Sequence, residues 1–184
     1  MPGSRVPLRR VLVHGVTGSG KTTLARRIAD VTGLPWHSVD DEIGWLPGWV
    51  SRPEVEQRAI AARIAAGDAW VLDTTYSAWR DVVLPRVELV VALDYPRWLS
   101  FGRLLRRTVR RMVRREEICN GNVESLRVAL SSDSILWWHW RSFGRKREQL
   151  RAWLADPDGP RVVRLRHPRQ VEPFLAGLAR RVGA

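Results

Sequence analysis

The sequence predicts an α/β fold built on a parallel β-sheet. Short apolar runs alternate with segments of helical periodicity along the 184 residues, which is the pattern of successive β-α-β units. The length suits one domain with a sizeable core, and a content of 45% hydrophobic and 27% charged residues is typical of a globular protein. We therefore expect a single domain over residues 1–184, with strands and helices in alternation.

The first half of the chain contains two predicted strands and two predicted helices. Gly33 and Pro35 mark the end of the first helix, since glycine suits the position after a helix and proline cannot continue one. Pro53 suits the first turn of the second helix, which Gly67 ends. The predicted elements are a strand at 10–14, a helix at about 20–32, a strand at 35–39 and a helix at 53–66.

The second half contains three predicted strands and three predicted helices. Two of the strands end in an aspartate, Asp73 and Asp94. A stretch at about 114–134 has Gly121 and several serines, which predicts a small lid-like insertion able to close over a site. The predicted elements are strands at 69–73, 87–94 and 161–165, and helices at 96–115, 135–155 and 168–182.

Several classes of protein are excluded by composition. No apolar run approaches the roughly 18 residues that a membrane-spanning helix needs. The first ten residues carry arginines without the apolar core of a secretion signal. The single cysteine, Cys119, excludes an internal disulfide, and four scattered histidines make a structural zinc cluster improbable. We expect a soluble cytoplasmic protein with no membrane partner.

The basic residues are unusual in kind as well as in number. The formal net charge is +12, and 29 of the 31 basic residues are arginine, the two lysines being Lys21 and Lys146. The chain also contains ten tryptophans. A basic protein rich in aromatic residues could bind nucleic acid weakly through phosphate contacts, and an arginine-rich coding bias is the alternative explanation.

A phosphate-binding loop follows the first predicted strand. Residues 15–22 read Gly-Val-Thr-Gly-Ser-Gly-Lys-Thr and satisfy the spacing G-x-x-x-x-G-K-[ST]. The glycines allow backbone N–H groups to turn inward around phosphate oxygens, and the following helix N-terminus adds a positive dipole. Lys21 would bridge the β- and γ-phosphates of ATP, and the Thr22 hydroxyl would bind Mg²⁺. A glycine-rich turn that only caps a helix is the alternative. The residues expected to contact the nucleotide are Gly15, Thr17, Gly18, Ser19, Gly20, Lys21, Thr22 and Thr23.

Two absent motifs narrow the class of nucleotide-binding protein. A Ras-type GTPase carries N-K-x-D, and here neither Asn120 nor Asn122 is followed by lysine. Many ATPases place a glutamate directly after the metal-binding aspartate to activate water, whereas Asp73 is followed by Thr74. Asp73 as a Mg²⁺ ligand without that glutamate suits transfer to a bound acceptor better than hydrolysis. A turn residue at the end of a strand is the alternative for Asp73.

Five segments of the chain carry a resemblance to a known group: 15–23, 37–40, 45–49, 73–76 and 93–98. Together they resemble the adenylate-kinase-related proteins often labelled DNA topology modulation proteins. The resemblance implies a three-layer P-loop nucleoside-triphosphatase fold with a five-stranded parallel sheet, helices on both faces and a small helical lid. It implies ATP-dependent phosphoryl transfer. The turn at 73–76 lacks the Asp-Gly-Phe-Pro-Arg sequence of true adenylate kinases, so adenylate kinase activity itself is not implied.

The segment after the second predicted strand is the candidate acceptor site. Asp40 stands at the carboxyl end of that strand, where α/β proteins bind ligands, and could orient or deprotonate an acceptor hydroxyl. A solvated acidic turn is the alternative, and is favoured for Asp41 and Glu42. Trp45 and Trp49 flank a Pro-Gly turn and would stack on a ring or, as we favour, pin the loop to the core.

An arginine-rich helix is predicted after the fourth strand. Seven arginines lie between 103 and 115, and helical spacing predicts an apolar face formed by Phe101, Leu105, Val109 and Met112. A solvated basic face explains most of these arginines, but phosphoryl transfer needs cations near the developing charge. The resemblance places such arginines at the edges of the lid and a base contact in the loop after the last strand. The candidates are Arg107, Arg110, Arg111, Arg114, Arg141 and Arg145 for phosphate, and His167 for the base.

The sequence therefore supports one function first and leaves others open. The first hypothesis is phosphoryl transfer from Mg–ATP to a nucleotide or small hydroxyl-bearing acceptor. The second is a nucleic-acid-binding P-loop ATPase or regulator, and the third is a nucleotide-binding protein without turnover.

Overall fold

A computed structural model describes residues 8–123 and 135–182. Its largest sheet contains five parallel strands in the order β2-β5-β1-β6-β9, and two further pairs of strands form antiparallel hairpins. The strands are β1 (Arg10–Gly15), β2 (Trp36–His37), β3 (Trp45–Leu46), β4 (Val50–Ser51), β5 (Trp70–Leu72), β6 (Leu89–Leu93), β7 (Glu117–Ile118), β8 (Asn122–Val123) and β9 (Arg161–Leu165). The predicted five-stranded parallel sheet is confirmed.

Helices cover both faces of this sheet. The helices are α1 (Lys21–Thr32), α2 (Glu54–Ala66), α3 (Arg80–Val83), α4 (Arg97–Arg114), α5 (Ile135–Ala155) and α6 (Val171–Val182). In β1, Val11 and Val13 belong to a buried cluster with residues of α1 and α6, whereas Leu12 belongs to a second cluster with residues of α2 and α5. Because alternate residues of a strand point to opposite faces, β1 is buried on both sides and the fold has three layers.

The position of β1 in the sheet determines where a site can form. β1 lies between β5 and β6, and all five strands run in the same direction. The loop after β1, Asp73 after β5 and Asp94 after β6 are therefore at one edge of the sheet. Ligands of open α/β sheets bind at this carboxyl edge.

The second strand is shorter than predicted. It ends at His37, and a π-helical turn occupies Val39–Gly44, whereas the sequence predicted a strand to residue 39. The Glu42 carboxylate accepts a hydrogen bond from the Ser38 N–H at 2.9 Å, and the Ser38 hydroxyl donates to Asp41. These bonds fold the chain back on itself, so Asp41 and Glu42 stabilise a turn that presents Asp40 to solvent.

The apolar face predicted for α4 is wrong. Leu105 is 43% exposed and Val109 is 47% exposed, while Ser100, Leu104 and Thr108 are buried. α4 packs against the loop after β1 at close range: a Cβ on Gly18 would lie 2.5 Å from the Ser100 carbonyl oxygen and 2.7 Å from the Leu104 Cβ. Gly18 allows this approach because it has no side chain. Tertiary packing therefore overrides the amphipathic pattern of α4.

Two short hairpins that the sequence analysis did not predict lie next to each other. β3 pairs with β4, and β7 pairs with β8 through a turn at Cys119, Asn120 and Gly121 with φ values of 45°, 65° and 82°. Asn122, in this second hairpin, accepts a hydrogen bond from the Trp49 N–H at 2.7 Å and donates to the Leu46 carbonyl at 3.1 Å. This hairpin forms the described part of the predicted lid, and residues 124–134 of that prediction lie outside the described residues.

The helices of residues 8–123 and 135–182 do not combine the length and apolar character that crossing a membrane requires.

Candidate active site

The loop after β1 has the conformation that phosphate binding requires. Gly18 and Gly20 have φ values of 80° and 96°, in the left-handed region that residues with a side chain rarely adopt. The Val16 carbonyl accepts hydrogen bonds from the Ser19 hydroxyl at 2.8 Å and from the Ser19 N–H at 3.2 Å, which fixes the turn. α1 begins directly after Gly20, so its N-terminus points toward the centre of the loop. Of the remaining predicted contacts, Thr17 is half-buried and Thr23 is exposed.

Thr22 and Asp73 form the oxygen pair predicted for the metal. The Thr22 hydroxyl donates to Asp73 Oδ2 at 2.8 Å, and Asp73 Oδ1 accepts from the Val39 N–H at 3.1 Å. Burial raises the pKa of Asp73, and these two hydrogen bonds act against that shift. A hydroxyl and a carboxylate are ligands that Mg²⁺ prefers, so these residues fit the ion that the loop implies.

The Lys21 ammonium lies near two carboxylates and one guanidinium at the same edge of the sheet. Its Nζ donates to the Val16 carbonyl at 3.0 Å. Burial lowers the pKa of Lys21, the carboxylates of Asp40 and Asp73 act to raise it, and the Arg107 guanidinium lowers it further. The structure therefore brings together five of the residues that the sequence nominated: Lys21, Thr22, Asp40, Asp73 and Arg107.

Asp40 has a partner that the sequence analysis did not assign. The Tyr76 hydroxyl donates to Asp40 Oδ1, and a Cβ on Gly44 would lie 2.5 Å from the Tyr76 hydroxyl oxygen. Burial and the nearby Asp40 carboxylate raise the pKa of Tyr76, so the phenol stays protonated and remains a donor. Tyr76 lies within the 73–76 turn, but its pairing with Asp40 depends on where the π-helical turn places that carboxylate.

The predicted phosphate arginines occupy different environments. Arg107 is half-buried on the side of α4 that faces Lys21. Arg110 pairs with Glu116 at 3.5 Å, and Arg114 is exposed at the end of α4. Arg141 is exposed on α5. Arg145 is also exposed, with its guanidinium carbon 5.5 Å from the centroid of the Trp138 ring.

His167 and the two loop tryptophans have local structural contacts. His167 Nδ1 accepts a hydrogen bond from the Arg169 N–H at 3.1 Å and caps the short helical turn Pro168–Gln170. Trp45 and Trp49 pack edge to face with their ring centroids 5.8 Å apart. The two indoles therefore pack on each other, and neither belongs to the two buried clusters formed by the described residues.

Cys119 borders the same acidic region from the β7–β8 hairpin. Burial and the carboxylates of Asp40 and Asp41 raise the pKa of the Cys119 thiol to about 12, so the thiol stays protonated. Asn120 donates to the carbonyls of Asp41 at 2.8 Å and Trp45 at 2.6 Å. The hairpin therefore forms a wall of the Asp40 region, and the Gly121 turn was the feature of the sequence that could have located it.

A parallel sheet whose first strand is followed by a glycine-rich loop and a helix is the arrangement of P-loop proteins. No protein-family model matches the chain, and no curated protein matches it. Solved structures do match over nearly the whole length of both chains.

Three of these structures are small-molecule kinases. A sugar kinase from Janibacter sp. HTCC2649 is 23% identical, with a TM-score of 0.52 over 96% of this chain and 98% of that one. A gluconokinase from Sinorhizobium meliloti 1021 is 20% identical, with a TM-score of 0.53 over 97% and 96%. Shikimate kinase from Acinetobacter baumannii, in complex with shikimate, is 18% identical, with a TM-score of 0.60 over 95% and 94%. These likenesses show the fold, and they give no support to the DNA topology label carried by the resemblance.

Proposed function

We propose that the chain transfers the γ-phosphoryl group of Mg–ATP to a hydroxyl of a small-molecule acceptor. The observation that carries this proposal is a second carboxylate, Asp40, whose charge acts on both Lys21 and Asp73. Asp73 is committed to Thr22 and to the Val39 N–H, whereas Asp40 is exposed and oriented by Tyr76. One carboxylate suits the metal, and the other suits an incoming hydroxyl.

The donor side of the reaction uses the loop and the oxygen pair. The backbone of residues 15–20 and the α1 N-terminus bind phosphate oxygens, and Lys21 binds the transferred group. Thr22 and Asp73 would hold Mg²⁺, which supplies neutralisation of phosphate charge when bound. Arg107, on α4, adds a second positive charge near the transferred phosphoryl group. Because the loop is fixed by its own hydrogen bonds, little reorganisation accompanies the reaction.

The acceptor side uses Asp40 and Tyr76. Asp40 accepts the hydrogen bond, and then the proton, of the acceptor hydroxyl as that oxygen attacks phosphorus. Tyr76 holds one Asp40 oxygen, so the other remains for the acceptor. Trp45, Trp49 and the β7–β8 hairpin lie around the same segment and form the described walls of the acceptor region.

The remaining predicted residues require a movement of their side chains before they can contact the nucleotide. Arg110, Arg114, Arg141 and Arg145 are exposed, and each would have to turn toward the cleft to contact a phosphate. His167 would face the base from the loop after β9. A rotation of these four side chains toward the cleft on nucleotide binding is the conformational step that this role requires.

The acceptor class follows from the fold and from the sequence after Asp73. Thr74 stands where a water-activating glutamate would favour hydrolysis. The neighbouring structures are kinases of a sugar, of gluconate and of shikimate, which are small polyhydroxylated compounds. We therefore include sugars, sugar acids and cyclic hydroxy acids as acceptors, alongside nucleosides and nucleotides.

The experiment that tests this proposal measures ADP release from Mg–ATP with a panel of these acceptors. One compound class is expected to stimulate ADP release and to yield a phosphorylated product detectable by mass spectrometry. ADP release that no acceptor stimulates, with ATP bound normally, contradicts the proposal.

A second candidate function rests on the exposed side of α4. Arg103, Arg106, Arg110 and Arg114 are all exposed, as is Arg115 after the helix. Such a row of arginines can contact the phosphates of a nucleic acid. The salt-dependence experiment described below separates this candidate from the first.

A further inference from the structure

The chain contains two lysines among 31 basic residues, and the structure places both at the phosphate-binding loop. Lys21 donates to the Val16 carbonyl at 3.0 Å. Lys146, on α5, lines a cavity together with Gly15 and Val16 of the loop and with Asp94 and Tyr95 after β6. The two lysines, 125 positions apart in sequence, thus border the same loop residue.

The backbone holds this part of α5 against the loop. His14, the residue before Gly15, makes a hydrogen bond through Nε2 to the Lys146 carbonyl at 3.0 Å. The His14 ring also packs edge to face on Trp153, about two turns further along α5, with centroids 4.8 Å apart. These contacts fix the distance and rotation of α5 relative to the loop, so the place of Lys146 is set by the fold.

The charges around Lys146 are not balanced by a carboxylate. The charged groups that act on it are Lys21 from α1, Arg80 from α3 and Arg145 from α5, all of them cations. Asp94 lines the same cavity, but its oxygens accept from Arg147 Nε and Arg164 Nε, each at 2.7 Å. Within the described part of the chain, Lys146 takes part in no ion pair and its Nζ donates no hydrogen bond. A half-buried cation facing further cations is stable when an anion joins them.

We propose that Lys146 is a second phosphate-binding lysine, which contacts the terminal phosphate of the nucleoside triphosphate held by the loop. This inference rests on the proposed function for the presence of that nucleotide. The compact Lys146 ammonium then supplies a cation from α5 that borders the loop, in addition to the exposed guanidinium groups of Arg141 and Arg145.

A proton is linked to this contact. Burial, reinforced by the cations Lys21, Arg80 and Arg145, lowers the pKa of Lys146 to about 7. His14 also faces it, but burial and Lys146 itself lower the pKa of His14 to about 3, so His14 is neutral at this pH. At pH 8 the Lys146 amine is mostly neutral, and an anion at Nζ raises its pKa again. Binding of the triphosphate at pH 8 therefore takes up a proton.

The test is calorimetric titration of the full chain with ADP and with the imido analogue of ATP, in the presence of Mg²⁺. The variants are Lys146→Met and, as the control, Arg151→Met, which removes one charge from an exposed position of the same helix. Lys146→Met is expected to weaken the ATP analogue about tenfold, as loss of a hydrogen bond to a charged group implies, and to weaken ADP less. Arg151→Met is expected to bind both nucleotides like the wild type.

A second readout detects the proton. Titrations at pH 8 in two buffers of different ionisation enthalpy are expected to show proton uptake with the ATP analogue in the wild type and a smaller uptake in Lys146→Met. Equal affinities and equal proton uptake in both proteins would overturn the proposal. A raised acceptor KM with unchanged nucleotide affinity would also overturn it, since Lys146 would then bind the acceptor.

These measurements need no turnover. If they succeed while no acceptor is phosphorylated, the proposed function fails and the role of Lys146 stands. If transfer occurs and Lys146→Met binds like the wild type, the role of Lys146 fails alone.

Discussion

The Thr22 hydroxyl and the Asp73 carboxylate are 2.8 Å apart, although 51 positions separate them in the sequence. Thr22 belongs to the first turn of α1, and Asp73 follows β5, the strand next to β1. Adjacent parallel strands therefore bring a hydroxyl and a carboxylate to one edge of the sheet, as a Mg²⁺ site in a nucleotide-binding loop requires.

Asparagine variants of the two site carboxylates are expected to fail in different ways. Asp73→Asn removes a metal ligand charge and is expected to raise the Mg²⁺ concentration required for half-maximal activity. Asp40→Asn removes the acceptor of the hydroxyl proton and is expected to lower kcat about 100-fold or more, with little loss of ATP affinity. Titrations of ATP and Mg²⁺ measure both effects, and the same defect in both variants would refute this division of roles.

Tyr76→Phe tests whether Tyr76 orients Asp40. The substitution keeps the ring against Trp79 and removes the hydroxyl that donates to Asp40. We expect kcat to fall roughly tenfold, since one hydrogen bond to a charged group is lost, while the KM for ATP stays near the wild-type value. Phe in this position with unchanged kcat would show that Asp40 needs no such partner.

The pH dependence of stability contains a contribution from His14. Burial lowers its pKa to about 3 in the folded protein, against roughly 6.5 in an unfolded chain. Between these values the unfolded state binds more protons, so the free energy of unfolding decreases as pH falls through that window. The contribution of neutral His14 to the free energy of unfolding is fully present above about pH 6.5.

The measurement for His14 is urea unfolding at several pH values from 7 to 4. The free energy of unfolding of His14→Phe is expected to fall less steeply with decreasing pH than that of the wild type, whatever the absolute stability of the variant. Parallel slopes in the two proteins would contradict this role of His14.

Binding to DNA distinguishes the enzyme from a nucleic-acid binder. We expect weak, non-specific binding, with a dissociation constant on the order of 10⁻⁴ to 10⁻⁶ M near physiological salt. On duplex DNA, the logarithm of the binding constant falls with the logarithm of salt concentration with a slope of about −0.9 per phosphate contacted. The measured slope therefore gives the number of phosphate contacts. Arg110→Ala or Arg114→Ala is expected to reduce turnover more than DNA affinity. Nanomolar binding at 150 mM salt, lost in these variants with ATP affinity unchanged, would favour the second function.

Local spacing was sufficient to predict the glycine-rich loop after β1 and the aspartate that follows β5. The loop at 15–22 and the aspartate after a buried strand are each recognised from residues that are adjacent in the sequence. The parallel sheet follows from the repeated β-α-β units. The same rules located all five strands of the sheet to within about two residues, an ordinary margin for element ends.

The acceptor side depends on contacts between distant segments and could not be predicted in this way. Tyr76 meets Asp40 only because a π-helical turn replaces the end of the predicted second strand. Asn122 meets Trp49 across 73 positions, in a pair of hairpins too short to show a strand pattern. The side of α4 that is buried depends on the close approach of Gly18 to the helix. The amphipathic pattern of the helix carries no information about this contact.

A reaction in ¹⁸O-labelled water distinguishes transfer of the γ-phosphoryl group to an acceptor from its transfer to water. With the acceptor that stimulates ADP release, we expect a phosphate ester without solvent oxygen. Lys21→Ala and Lys21→Arg are both expected to abolish transfer with a native circular dichroism spectrum, because one removes the cation and the other misplaces it. Two results would contradict phosphoryl transfer by this site. One is release of all the γ-phosphate as inorganic phosphate carrying solvent oxygen, whatever acceptor is present, and the other is wild-type transfer by folded Lys21→Ala.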